Sequence, residues 1–261
     1  MRETPAGTGA LDKGLTLLAR ICDAPKPLRF VDLLRETGMP KATLHRMLGA
    51  LRAHRLVALD PREQTYMPGL RTLEMAQRAW DGMDLRRAAA DEIRWLGEKT
   101  GDTVHLAVLD ETEVVYVDKV ESQQPIRMFS AVGKRGPLYC TGVGKAIAAF
   151  LDDETRARIA ERLAMKRYTP NTLASRTAFL RHMEQIRARG YALDMEEHEL
   201  GIRCAAAPIF NHRGEVVGGV SVTAPSFRLP PERLEKIAPF VVQAARRITR
   251  NLGGRSSGDP E

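Results

Sequence analysis

The sequence predicts an α+β protein in two parts: a small helical module closed by a β-hairpin, then a larger domain of antiparallel sheet with covering helices. Three observations predict it. Apolar residues recur at helical spacing three times before residue 55, and two short strand-like runs follow around a proline-containing turn. From Asp102 onward, hairpin signals alternate with helical ones. Basic residues are denser at the start: residues 1–69 hold 11 Lys/Arg against 7 Asp/Glu, and residues 70–261 hold 29 against 26.

Leu11, Leu15, Leu18 and Cys22 recur at i, i+4, i+7 and i+11, which predicts one apolar helix face. Ala24-Pro25-Lys26-Pro27 ends that helix, because proline cannot continue it. A second short helix turns Phe30, Leu33 and Leu34 inward, and Gly38 suits the tight turn that stops it. Pro40 is favourable at the first position of a third helix, whose buried stripe is Leu44, Met47, Leu48 and Leu51. The opposite face carries Ala42, Arg46, Gly49 and Ala53, flanked by Lys41, Thr43 and His45. Small side chains there permit close approach to a major groove, and Arg46 can reach a base edge or a phosphate. Leu56–Leu59 and Thr65–Met67 around Asp60-Pro61-Arg62-Glu63-Gln64 read as a hairpin wing. On pattern alone, a helical module that binds protein instead of DNA is the alternative.

A helix over Leu70–Trp80 follows, broken at Trp80–Asp84, with Asp84 able to cap the next helix, Leu85–Thr100. Val104–Leu109 and Val114–Val120 form a hairpin over Asp110–Glu113, and Ile126–Val132 adds a strand. Helices are expected at Gly144–Leu151, Asp153–Ala164 and Ser175–Gly190. A second hairpin pairs Cys204–Phe210 with Val216–Thr223, and a terminal helix runs from Pro230-Pro231 to Gly253-Gly254. The expected domains are 8–69, a linker helix 70–83, a larger domain 84–253, and a disordered tail 254–261.

No run approaches the ~18 apolar residues of a membrane span, and Met1–Gly9 has no apolar signal region. Cys22, Cys140 and Cys204 are odd in number and far apart, which argues for reduced thiols in the cytoplasm and against a zinc framework. No metal or cofactor is expected. Thr141-Gly142-Val143-Gly144-Lys145-Ala146 invites a nucleotide-binding reading, but Tyr139, Ala146 and Ile147 stand where those motifs need other residues. What survives is a glycine-rich turn opening a helix, whose free N–H groups can hold a carboxylate, or a plain tight turn. In Asp194–Cys204, the carboxylates, His198 and Cys204 suggest a metal site or an enzyme with Cys204 as nucleophile. The plainer reading is a solvated loop carrying Glu196, Glu197 and Glu199, leading into a buried strand.

The run Gly38-Met39-Pro40-Lys41-Ala42-Thr43-Leu44-His45-Arg46-Met47-Leu48 resembles the recognition helix of the IclR family of transcription regulators. Leu51–Val57 and Tyr66-Met67-Pro68-Gly69-Leu70 resemble that family's wing. Pro137–Ala146, Glu196–Phe210 and Val216–Thr223 are similar to its effector-binding domain, so the match runs in family order over roughly residues 8–252. Ala42 departs from the family's usual serine.

The resemblance implies a winged helix-turn-helix that binds double-stranded operator DNA, a linker helix that pairs subunits, and a GAF-like effector domain. The DNA-contacting set would be Arg29, Lys41, Ala42, Thr43, His45 and Arg46, with Arg62 on the wing. An acid group of the effector would sit on the backbone around Thr141, Gly142 and Val143. The side chains of Asp194, Cys204, Ser221 and Thr223 would line the pocket, with Ile202 as an apolar wall. Ser221 and Thr223, two apart, share one face of a strand. The wording resembles regulators of sugar-acid catabolism, notably the 2-keto-3-deoxygluconate group; keto acids such as glyoxylate or pyruvate, and aromatic acids, are alternatives. A homodimer or homotetramer is expected, because winged modules read paired half-sites.

Overall fold

The computed structural model describes residues 9–81, 84–124 and 130–254. The backbone divides into two compact units, Met1–Gly82 and Met83–Glu261.

In the first unit the elements run α1 (Gly9–Asp23), β1 (Leu28–Arg29), α2 (Phe30–Thr37), α3 (Lys41–Ala53), β2 (Val57–Asp60), β3 (Thr65–Pro68) and α4 (Leu70–Asp81). Leu17, Ile21, Leu28, Leu33, Leu44, Leu48, Leu51 and Val57 form its core. The stripe expected on α1 is corrected here: Leu11 and Leu15 are 64% and 56% exposed and Cys22 is exposed, while Leu17 and Ile21 are buried. Two apolar stripes interleave on this helix, and packing against α3 and β3 selects one of them. Pro40 caps α3 from outside and is not its first residue.

β1 has no counterpart in the sequence reading. It is two residues long and exists through long-range pairing, Leu28 opposite Tyr66 and Arg29 opposite Thr65, giving sheet order β1-β3-β2. In the wing turn, Asp60 Oδ1 accepts from the Arg62 and Glu63 N–H groups at 2.8 and 3.2 Å, an Asx turn that leaves Arg62 exposed. Gly69 is required by close approach, since a Cβ there would lie 2.1 Å from the Arg55 carbonyl oxygen. Its N–H donates to Leu56 O at 2.9 Å and that of Arg71 to Arg55 O at 3.2 Å.

The second unit begins with α5 (Asp84–Thr100), the hairpin β4 (Thr103–Asp110) and β5 (Glu113–Val120), and β6 (Arg135–Pro137). Then come α6 (Gly142–Phe150), α7 (Asp153–Arg162), α8 (Arg176–Arg189), β7 (Ala192–Met195), the hairpin β8 (Ile202–Phe210) and β9 (Val216–Pro225), and α9 (Pro231–Asn251). Asp84 is the first residue of α5 and pairs with Arg87. Of the strand expected at Ile126–Val132, residues 126–129 lie outside the described residues, and Ser130–Val132 is not a strand. Gly254, expected in a disordered tail, is buried with its N–H on Thr249 O at 2.8 Å; residues 255–261 lie outside the described residues.

All pairings in the six-stranded sheet are antiparallel, in the order β6-β5-β4-β9-β8-β7. Side chains alternate between its two faces. Leu106, Ala205, Ile209, Val220 and Val222 face α5 and α9, which supply Leu96, Leu234, Val241 and Ile248. Ala107, Cys204 and Ala206 face α6 and α8, which supply Val143, Ile147, Phe179 and Met183. A bulge in the β4–β5 pairing sets Asp118 opposite Leu106 but Tyr116 opposite Ala107, which brings Tyr116 to the α6 face.

Candidate functional site

The outward face of α3 carries Lys41, Ala42, His45 and Arg46, all exposed, with Thr43 half-buried at its edge. Arg29 is exposed on β1, and Arg62 at the tip of the wing. Among the described residues, Lys41 and Arg46 make no ion pair. Elsewhere on the same unit, Arg20 is held by Glu36 at 2.6 Å, and Glu74 takes Arg55 at 3.2 Å and Arg71 at 2.7 Å. Lys41 and Arg46 on the α3 face are thus unneutralised, and unneutralised cations are what phosphates recruit.

In the second unit a cavity of about 360 Å³ opens on the sheet face beside α6, lined by His105, Tyr116, Ser130, His198, Ile202 and Thr223 among others. Of the expected effector residues, Ile202 and Thr223 line it directly. Thr141, Gly142, Val143, Asp194, Cys204 and Ser221 are buried, and their elements converge beside it. Cys204 is opposite Asp194 on one side and Thr223 on the other, while Ser221 lies between His105 and Ala206. The thiol of Cys204 interacts with the Thr223 and Ser221 hydroxyls, and burial pushes it up to about 12.

Gly142 meets this row edge-on. A Cβ at Gly142 would lie 2.6 Å from the Cys204 Sγ, so only glycine lets the start of α6 approach the sheet so closely. Thr141 caps that start: its Oγ1 accepts from the Gly144 N–H at 3.2 Å and donates to Pro137 O at 2.8 Å, and its carbonyl takes the Lys145 N–H. The N–H groups of Gly142 and Val143 have no acceptor within the helix, and the helix dipole favours an anion there. The Val143 side chain packs over Gly219.

The loop after β7 is not the solvated segment its composition suggests. Glu197 is 6% exposed and ion-paired with Lys145, which is fully buried and also donates to Leu193 O at 2.7 Å. Glu196 is half-buried against Arg203 at 2.8 Å; only Glu199 is exposed. Asp194 accepts from the Glu197 N–H at 2.8 Å. Its burial raises its carboxyl to about 7, with Lys145 opposing and Glu197 adding to the rise. At neutral pH Asp194 can therefore donate as well as accept.

Five of the lining residues, His105, Tyr116, Ser130, Lys134 and Arg135, are new. His105 Nε2 shares a 2.6 Å hydrogen bond with Ser130 Oγ, and Nδ1 lies 3.4 Å from Thr223 Oγ1. Burial, helped by the Lys119 charge, lowers His105 to about 3, so the ring is neutral. Tyr116 lies 4.9 Å from that ring, centroid to centroid, and His198 packs edge-on against Tyr168 at 5.0 Å. Strand alternation signals His105, which shares a face with Thr103 and Ala107. Tyr116 depends on the bulge, and no sequence signal announces it.

A nucleophilic role for Cys204 finds no support in this geometry. No hydrogen bond joins it to His198 among the described residues, and its thiol is held in the unreactive protonated form. No cluster of three or more metal-ligating side chains occurs among the described residues, and no described helix is long and apolar enough to cross a membrane.

Residues 10–61 match the IclR helix-turn-helix domain, and residues 77–250 match the C-terminal domain of bacterial transcriptional regulator IclR. The HTH-type transcriptional regulator KdgR of Escherichia coli K12 is 35% identical over 228 residues, 87% of each chain. XynR of the same organism is 31% identical, covering 94% of this chain and 97% of its own. The crystal structure of Thermotoga maritima IclR superposes with a TM-score of 0.78 at 32% identity, over 94% of this chain and 99% of that one. These relatives are regulators and not enzymes, and the chain belongs with them to the IclR family of ligand-responsive, DNA-binding transcription regulators.

Proposed function

We propose that the protein controls a catabolic operon by sensing a small hydroxylated organic acid, a sugar acid or keto acid, in the cavity beside α6. The observation that carries this reading is the polarity of that cavity. The N–H groups of Gly142 and Val143, at the start of α6 where it meets Cys204 on the same sheet face, are assigned to a carboxylate. The walls offer the hydroxyls of Ser130, Thr223 and Tyr116 and the neutral His105, with Ile202 as an apolar patch. Ser221, Cys204 and Asp194, buried at adjoining strand positions, are assigned to the same ligand. A polyhydroxy acid satisfies these groups, whereas an aromatic ring leaves most of them unpaired, at a cost for each.

DNA contact is assigned to Lys41, Ala42, Thr43, His45 and Arg46 in the major groove, with Arg29 and Arg62 on the backbone or minor groove. The working form is a cytoplasmic homodimer or homotetramer on paired half-sites. Leu11 and Leu15 on α1 and Leu70, Leu73 and Met75 on α4 are more than half exposed, and pairing would cover them. In this reading 8–69 contacts DNA, 70–83 links, and 84–253 senses. The ligand acts by binding one arrangement of the paired modules more tightly than the other.

The test is calorimetry with the full-length protein against sugar acids, short keto acids and aromatic acids, with operator binding measured in parallel. One sugar or keto acid that binds and shifts DNA affinity supports the reading. Binding lost in Thr223→Val and retained in Ile202→Val locates the ligand as assigned. Response to aromatic acids alone overturns the effector class.

A further inference from the structure

On the other side of the second unit, between the end of α8, the edge of β8 and α9, lies a second cleft with a different chemistry. Its inner recess, about 130 Å³, has an apolar floor in which Phe150 and Phe210 meet edge-to-face at 5.5 Å beside Ala207 and Pro208. Both phenyl groups are only half-buried. The recess continues, through shared walls at Arg189, Val242 and Arg246, into an outer groove of about 580 Å³. The combined lining carries Arg187, Arg189, Arg246 and Arg250 against a single carboxylate, Glu235.

These arginines are not equivalent. Arg187 is structural, its guanidinium donating to Ala149 O and, at 2.6 Å, to Leu151 O at the end of α6. Arg189 donates to Tyr191 O at 2.9 Å and lies over the Tyr191 ring. Arg246 and Arg250, one helical turn apart on α9, make no hydrogen bond or ion pair among the described residues. Like charges at i, i+4 repel, and a concave surface focuses their potential. Nothing in the fold uses that repulsion, and an anion would relieve it.

We propose that this cleft is a second ligand site, distinct from the sensor cavity, and that it takes an aromatic carboxylate. The ring occupies the Phe150–Phe210 recess, and the carboxylate reaches Arg246, with Arg189 beside it. The recess is close to the size of an apolar cavity of about 150 Å³ known to admit a benzene ring. Guanidinium groups at its mouth supply the planar, forked donors that a carboxylate accepts.

The experiment is a benzoate titration of the full-length protein, followed by calorimetry and ligand-observed NMR, with acetate as the ringless control. Saturable benzoate binding is expected, at least tenfold tighter than acetate. Arg246→Glu, an exposed substitution, should weaken benzoate at least tenfold with the melting temperature and operator affinity retained. Thr223→Val in the sensor cavity should leave benzoate affinity within twofold. No saturable binding, equal affinity for acetate, or loss in Thr223→Val with Arg246→Glu unaffected each overturns the proposal. The last outcome would place the aromatic acid in the sensor cavity and count against the effector class proposed above. The other two would leave that class untouched.

Discussion

Replacing Gly142 by alanine puts a methyl carbon 2.6 Å from the Cys204 Sγ, 3.3 Å from its Cβ and 3.5 Å from the Asp194 Cβ. Comfortable contacts between carbon-sized atoms fall near 3.5–4.0 Å, so α6 and β8 must separate by about 1 Å or distort. Overpacking of this kind costs about 1–3 kcal/mol. The better helix propensity of alanine returns at most about 1 kcal/mol of it. A net loss of about 1–2 kcal/mol lowers the melting temperature of a unit this size by about 2–8 °C. Differential scanning calorimetry of the full chain reads this in the transition of the second unit. The informative control is Cys204→Ala in the same background, which removes the 2.6 Å clash and leaves the 3.3 and 3.5 Å contacts. The double variant should recover part of the loss, with a coupling of at least about 0.5 kcal/mol. An unchanged melting temperature in Gly142→Ala, or strictly additive single losses, would refute the claim that Cys204 dictates glycine at the head of α6.

Further predictions follow from the buried charges and from the helix facing DNA. Lys145→Met strands Glu197 without its cation and should cost about 3–5 kcal/mol, while Lys145→Met with Glu197→Leu should regain most of it in urea denaturation. Asp194 in the folded chain keeps its proton to about pH 7, against 3.8 when exposed. The folded state thus binds the extra proton between those values, and stability should fall as pH rises through the window. Asp194→Asn should flatten that slope in melting curves taken from pH 4 to 8; an unchanged slope would assign it elsewhere. Arg46→Ala should weaken operator binding by about 1–3 kcal/mol, or reduce the salt slope by about one if the contact is to phosphate, in titrations at several salt concentrations.

Much of the fold could be read from residues in sequence. The stripe Leu44, Leu48, Leu51 fixed which face of α3 is outward, and Ser175 with Gly190 marked both ends of α8, as their capping geometry bears out. The two long hairpins followed from alternation around polar turns. What escaped was decided by distant partners. Helix α1 offers two apolar stripes, and only α3 and β3 choose between them. β1 is too short to carry a pattern. Glu197 looked solvated because its neighbours are charged, yet Lys145, fifty-two residues earlier, draws it inside. His105 could be placed on the cavity face by alternation, but Tyr116 reaches it through a one-residue register change that no local propensity encodes.

The tight seam at Gly69 has a mechanical consequence. With its backbone pressed on Arg55, two main-chain hydrogen bonds crossing to Leu56 and Arg55, and Glu74 clasping Arg55, the first turn of α4 is welded to the C-terminal end of α3. These contacts resist a swivel between wing and linker. Torque applied along α4 is passed toward the groove-facing helix, as by a key to its bit. In the proposed reading, compliance that lets a ligand retune operator spacing is expected farther along the chain than residue 74.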